Sequence, residues 1–336
     1  MAKSIAIDIG TYSIKAISGK SSSRPHIERA VEVLNTTGLA IPTDESSEEQ
    51  LGILLDSFLK DNDLPRNDVR LSLPETVVST KVISIPPLTD AELASAIGWQ
   101  AEQHIPIPPE ELSLEYQVLH RPAKKDQGQM RVLLVGTRKA MVEHFINMFH
   151  QLGIEPTLLE TQVISIARSL QITPDDVTTL VAHVGASSMN LFVIHQGELK
   201  FVITNMNGGQ VLTRALESAV GLDTAQAEQY KRTYGLISNQ FEGKVRDALL
   251  PGVRILTGEI AKSMQFFNNQ NAQQPIKRVV LSGGSAMLPE VVQFVTAELG
   301  IEVLVASPFA GVSTNVPATI NQPSMTVCMG LLQREL

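Results

Sequence analysis

The sequence predicts an α/β protein of two lobes, each a mixed β-sheet flanked by helices, with a small α+β insertion in the first lobe. Three observations predict it. A strand–glycine turn–strand pattern occurs twice, at 6–17 and at 181–192. Strand-like and helix-like runs alternate through both halves. A self-contained stretch of helix and strand patterns follows the break at Pro86-Pro87. The chain has 336 residues, 43% hydrophobic and 18% charged, enough to bury more than one core.

Ser4–Ile9 is an apolar strand, Gly10–Tyr12 a turn and Ser13–Ser18 a returning strand. His26–Asn35 follows as a third. Glu48–Lys60 is a helix with Leu51, Leu54, Leu55, Phe58 and Leu59 on one face. Val69–Leu73 and Val77–Ile83 are further strands. Thr89-Asp-Ala-Glu92 is a capping box that opens a helix to about His104. The loop Ile105–Pro109, a strand at Leu114–Leu119, a polar turn at Lys124–Gly128 and the strand Arg131–Gly136 come next. A helix from Lys139 to Leu152 stops at Gly153, and another spans Glu160–Leu170. The second half opens with strands at Thr179–His183, Met189–His195 and Leu199–Thr204. Helices follow at Val211–Val220, Thr224–Tyr234 and Arg254–Asn268. The strand Val279–Leu281 runs into Ser-Gly-Gly-Ser. The helix Pro289–Leu299, the strand Ile301–Val305 and the helix Met325–Glu335 close the chain. The expected division is a first lobe of 1–84, 159–176 and 322–336, an insertion of 85–158, and a second lobe of 177–321 with a small subdomain near 210–255.

Net charge is −8, which argues against a nucleic-acid surface or a basic face for anionic lipid. The single cysteine, Cys328, leaves no intrachain disulfide and fits a reducing compartment, as a small buried apolar residue. The start of the chain lacks a signal-peptide core. The uncharged stretch 177–197 holds two histidines, an asparagine and a glycine and splits into two strands, so it is not read as a membrane span. The expected location is cytoplasmic, with any membrane attachment made through a partner. No Gly-x-Ser-x-Gly elbow, Walker lysine loop, His-Glu-x-x-His or EF-hand loop is present.

The repeat carries the chemistry. Aligning 6–17 with 181–192 sets Gly10 on Gly185, Ser13 on Ser188 and Lys15 on Asn190. A turn glycine lacks a β-carbon, so backbone N–H groups can face phosphate oxygens. Thr11, Ser13, Ser187 and Ser188 add hydroxyls beside Ala186, and Lys15 adds positive charge. Asp8 at the strand end is a candidate to hold Mg²⁺ through water. Gly283, Gly284 and Ser285 form a strand–turn–helix where a base or ribose can approach the backbone. Glu228 and Lys231 share a helix face, either as ribose ligands or as a plain ion pair. Gly208 and Gly209 precede the first helix of the second half.

This order of motifs resembles the actin-like ATPase superfamily and, within it, the PilM family of type IV pilus assembly proteins. The carriers are 8–15, Trp99–Pro108 with Tyr116–Leu119, Gly208–Thr213, Ala227–Lys231 and Leu281–Gly284 with Leu288-Pro289. The resemblance implies an actin-like fold with ATP and Mg²⁺ between the lobes. Gly10, Thr11, Ser13, Lys15 and 185–188 would meet phosphates, Glu228 and Lys231 the ribose, and 283–285 the adenosine side. Glu160 would orient an attacking water. It also implies that the N-terminal peptide of an inner-membrane pilus protein of the PilN type binds near the insertion, alongside other pilus assembly components. One position departs: His183 stands where the family usually has aspartate, so hydrolysis is expected to be weak or absent. The alternatives are an actin-like ATPase or kinase with real turnover, or an FtsA-like filament. FtsA ends in a basic amphipathic helix, which this chain is not expected to carry.

Overall fold

The computed structural model describes residues 3–123, 128–313 and 316–335. Two five-stranded sheets carry one strand order. In the first, β1 (Ser4–Ile9), β2 (Ser13–Lys20) and β3 (His26–Leu34) form an antiparallel meander. Beside β1, β4 (Val69–Leu73) and then β8 (Pro156–Thr161) add in parallel, giving β3-β2-β1-β4-β8. In the second, β9 (Thr179–Val184), β10 (Met189–His195) and β11 (Glu198–Asn205) are the meander, and β12 (Arg278–Ser282) and β13 (Glu302–Val305) the parallel addition, giving β11-β10-β9-β12-β13. The repeated hairpin is therefore the start of a repeated sheet. Asp8 pairs with Lys15 in the first, and His183 pairs with Asn190 in the second, so the alignment holds in register.

A three-stranded sheet, ordered β5 (Val78–Ile85), β7 (Met130–Arg138), β6 (Leu112–His120), carries α2 (Asp90–His104) on one face. Leu93, Ile97 and Ala101 of α2 fall on Ile83, Ile85, Val132 and Leu134. Because β5 pairs with β7 along its length, this small unit takes in residues ahead of Pro86-Pro87. Helix α3 (Lys139–Gln151) turns away from it. Its Phe145, Met148 and Phe149 pack with Leu55 and Phe58 of α1 (Glu45–Asp61) under the first sheet. The expected polar turn at Lys124–Gly128 falls, but for Gly128, outside the described residues.

Four helix readings needed correction, among them the closing helix, which ends at Leu332 rather than Glu335. Helix α1 begins before Glu48, because Asp44 caps it through Ser47. The helix read from Glu160 is preceded by a strand: β8 runs to Thr161 and α4 (Gln162–Leu170) starts after it. Helix α7 (Lys244–Gln270) runs through Pro251 and so starts ten residues before Arg254. A proline costs a helix about 3 kcal/mol, yet Val245, Leu249, Val253 and Leu256 bury one continuous stripe across it, and packing prevails. Together with α5 (Gly209–Val220), α6 (Thr224–Tyr234) and α8 (Val291–Leu299), α7 covers one face of the second sheet.

The other faces of the two sheets share one core. Ala6, Ile17 and Ile27 from the first and Val181, Phe192 and Val280 from the second close on α4 and on α9 (Thr326–Leu332), whose seven residues are all buried. Cys328 lies here, as read from sequence, with its thiol pushed up by burial. Where α4 and α9 cross, a β-carbon at Gly330 would stand 1.7 Å from the carbonyl oxygen of Ser165. No side chain fits there. Gly330→Ala is expected to destabilise the protein by about 3 kcal/mol or more through forced separation of the helices. Gly258→Ala in α7, where a β-carbon meets nothing within 4 Å, should instead gain about 0.5–1 kcal/mol. Urea midpoints of the two variants against the parent read the contrast.

Candidate functional site: a cleft between two glycine turns

The shared core sits below, and the two hairpin turns face one another above it across a cleft with about 1210 Å³ of empty space, its open mouth included. That is ample for a nucleotide. Both turns are closed the same way: Gly10 N–H donates to Ser13 O at 3.0 Å and Gly185 N–H to Ser188 O at 2.9 Å. Both are also tied from behind by their carbonyls. Asn35 donates its side-chain amide to Gly10 O (2.7 Å) and its backbone N–H to Tyr12 O (2.8 Å). The first amides of α5, Gly209 and Gln210, donate to Gly185 O and Ala186 O at 2.8 and 2.9 Å. Glycine at 208 permits this docking, since a β-carbon there would lie 2.5 Å from Ala186 O. With the carbonyls occupied, the N–H groups of Thr11, Tyr12, Ala186 and Ser187 have no protein acceptor among the described residues. The buried Thr11 hydroxyl has no partner either. Two sets of unspent donors thus line one cavity, which is the arrangement an anion needs.

Below the first turn, Asp8 is 2% exposed. One of its oxygens accepts from Ser72 Oγ (2.9 Å) and Gln162 Nε2 (2.8 Å), the other from Lys15 Nζ (2.9 Å). Burial alone would raise the carboxyl, but the Lys15 charge and these hydrogen bonds hold it below the usual carboxylate range. Lys15, penalised by the same burial, is held above its ordinary value by Asp8 and Glu32. The second sheet repeats this second layer. His183 sits where Asp8 does, and its Nδ1 meets Ser282 Oγ at 3.0 Å, as Asp8 meets Ser72 on the matching parallel strand. Burial, with Lys15 nearby, pushes the imidazole down to about 4 despite Asp8. At neutral pH it is uncharged.

On the far wall, Lys231 Nζ donates to Glu228 (2.5 Å), Thr213 Oγ1 (2.9 Å) and Gly209 O (3.2 Å), and Arg232 Nε donates to Glu228 at 2.8 Å. Burial would raise Glu228; the Lys231 charge keeps it below its ordinary value. Arg232 also reaches across the cleft, its guanidinium 5.2 Å from the Tyr12 ring centroid. Gly283, with φ +84°, brings the third wall close: a β-carbon would lie 2.4 Å from Val184 O.

The cavity gathers Asp8, Gly10, Thr11, Ser13, Lys15, residues 185–188, Gly209, Glu228, Lys231 and residues 283–285. Two predicted residues are elsewhere. Gly208 backs the second turn without lining the cavity. Glu160 lies on β8 and does not line the cavity; its carboxylate accepts from Ser165 Oγ (2.7 Å) and from both terminal nitrogens of Arg168 (2.5 and 2.9 Å). The residue that does enter the cleft is Gln162, two positions on, at the first turn of α4. Glu32, which accepts from Ser13 Oγ at 2.7 Å, Tyr12 and Arg232 were also missed. Glu32 and Arg232 lie outside any glycine motif, and Tyr12, though inside the first turn, carries a side chain that phosphate-turn chemistry does not call for.

A directly bound magnesium ion does not fit these residues. It demands oxygen ligands in near-octahedral array. Among the described residues the acid beneath the first turn, Asp8, already takes a lysine ammonium, and its counterpart is a neutral imidazole. No group of three His, Cys, Asp or Glu suited to a metal occurs among the described residues.

A family model described as type IV pilus assembly protein PilM matches residues 6–334. The chain belongs to the PilM family. Solved structures agree on the fold of this PilM family member. The PilM-PilN type IV pilus biogenesis complex matches with TM-score 0.82 at 23% identity, over 98% of this chain and 97% of the other. MreB5 of Spiroplasma citri bound to AMPPNP matches at 0.55 and 12%, over 98% and 95%. A Bacteroides thetaiotaomicron protein with actin-like ATPase fold matches at 0.50 and 12%, over 99% and 96%. The fold is the actin-like one. Among the described residues no helix is long and apolar enough to cross a membrane.

His183 makes the stability of this PilM family member sensitive to acid. Below pH 6.5 the unfolded imidazole takes up a proton that the folded one refuses until about pH 4. Stability therefore falls through that window at a limiting slope of about 1.4 kcal/mol per pH unit. Urea denaturation of His183→Asn across the same window is expected to show a shallower decline than the parent.

Proposed function

We propose that this protein is an ATP-binding scaffold of type IV pilus assembly, with ATP held across the cleft and hydrolysis weak or absent. One observation carries the reading. Two hairpin turns, tied back by their carbonyls, present unpartnered amides at 11–12 and 186–187 to the same space. A triphosphate is the ligand whose charge and length suit two facing sets of donors. Lys15 adds its ammonium from below. The wall of Glu228, Lys231 and Thr213 suits ribose hydroxyls, and the backbone at 283–285 suits the flat face of the base. Support for nucleotide also comes from the fold, which MreB5 uses to bind AMPPNP. The weakness of hydrolysis follows from chemistry. With its pKa pushed down to about 4, His183 is a weak base at neutral pH and its ring nitrogen a poor ligand for magnesium, and the side-chain amide of Gln162 is no base.

The partner we infer is the cytoplasmic N-terminal peptide of a PilN-type inner-membrane protein, since the PilM with which this chain shares its fold was solved in complex with PilN. The small three-stranded unit offers exposed aromatic surface for such a segment in Trp99 and Tyr116. Membrane attachment then runs through the partner, and the protein itself stays cytoplasmic.

Two measurements test this. ATP should raise the melting temperature of the full chain, as any ligand selective for the folded state does. Ser187→Asp, which sets a carboxylate in the second turn, should melt like the parent without ATP and lose at least about tenfold in ATP affinity, or about 1.4 kcal/mol. An ATP effect of equal size in parent and variant would remove the turns from the site. Calorimetric titration with the PilN-type N-terminal peptide should show saturable binding that changes in strength when ATP is present. Absence of binding in both conditions would remove the scaffold reading.

A further inference from the structure

We propose that this chain binds the nucleotide triphosphate without recruiting a divalent cation, with the Lys15 ammonium standing in the place such a cation would take. The inference rests on the ATP reading above and deepens it. It starts from the acids that face the cleft among the described residues, which are Asp8, Glu32 and Glu228. Each is already taken. Asp8 accepts from Lys15, Ser72 and Gln162. Glu32 accepts from Ser13 and, at 3.3 Å, from Ser324. Glu228 accepts from Thr213, Lys231 and Arg232.

Only Asp8 lies beneath a phosphate turn, and its free approach is limited by position. Lys15 Nζ sits 2.9 Å from one oxygen on the neighbouring strand of the same hairpin. A divalent ion coming to that carboxylate, directly or through one water, would meet an ammonium at short range in a buried setting, where like charges repel most. The repeat denies it a second ligand. The matching position on the second sheet is His183, whose Nδ1 is engaged by Ser282, and hard cations take oxygen in preference to imidazole. Across from His183 in register is Asn190, not an acid.

The same geometry supplies what the cation would have done. An ammonium has three donors, so Lys15 can keep Asp8 and still reach a phosphate oxygen above it. Backbone amides from both turns meet the remaining oxygens. Phosphate charge is then countered by groups built into the hairpins, and the triphosphate needs no bridging metal to be held.

Titration calorimetry of the full chain tests this with ATP and with the non-hydrolysable AMPPNP, each in excess magnesium and again in excess EDTA. The dissociation constants are expected to agree within about threefold, well inside one decade of affinity. A larger weakening in EDTA would overturn the inference and leave the ATP reading intact. Failure of both nucleotides to bind in either condition would overturn both. Lys15→Gln, which keeps a donor but no charge, isolates the role of the ammonium: its affinity in EDTA should fall by about tenfold or more. If Lys15→Gln binds as tightly in EDTA as the parent, Lys15 is not the stand-in.

Discussion

The structure depends on two sheets being forced to share one core. The apolar faces of β1–β2 and of β9–β10 cannot both be covered by their own outer helices, so they close on α4 and α9 together. The two helices cross at a glycine so tightly that the backbone of one rests on the other. This fixes where the strands end. Since β1 and β9 both point out of the shared core, their following turns are delivered to opposite sides of a single gap. The position of the site is a consequence of burial, and its chemistry is what the turns happen to carry there. Hydrophobic burial is the dominant favourable term in folding, and here it also sets the spacing between two donor arrays.

Below the turns the repeat continues into a layer that differs at two paired positions. A serine on the parallel strand supports the strand-end residue in both halves, Ser72 under Asp8 and Ser282 beside His183. In the first half the supported group is a charged acid matched by a lysine. In the second it is a neutral ring opposite an asparagine. The two layers have the same architecture, ion-paired in the first half and uncharged in the second. In this layer the charge lies on the first sheet and the second sheet offers amides, hydroxyls and an uncharged imidazole, while the charged Glu228, Lys231 and Arg232 stand on α6 of the far wall.

Much of this was legible in the chain. The hairpins could be read because a glycine between an apolar strand and an alternating one is a local signal, and the pairing of Asp8 with His183 followed from aligning them. The Ser-Gly-Gly turn and the Glu228–Lys231 pair were legible for the same reason. What was hidden depended on contacts distant in sequence. Strand β8 is recognisable only by its parallel pairing with β4, since Pro156–Thr161 lacks strand alternation and runs straight into a helical pattern. That misreading moved the start of α4 and put Glu160 in the place Gln162 holds. Glu32 and Arg232 enter the cleft from β3 and α6, where no local pattern marks them, and Tyr12 joins them from within the first turn. The helix read as Arg254–Asn268 began too late because propensity is local, whereas the stripe that carries α7 through Pro251 is set by packing on α5.

The contact of Arg232 with the Tyr12 ring deserves a last consequence. It is a direct side-chain tie between the rims of the two halves, and it spans the mouth of the cleft rather than its floor. Such a stack is worth about 0.5–1 kcal/mol at an exposed site, far less than the interior beneath it. The molecule is therefore stiff at its base and weakly clasped at its brim. Parting the rims at this point costs one ring–guanidinium stack, little beside the buried core that positions the donors.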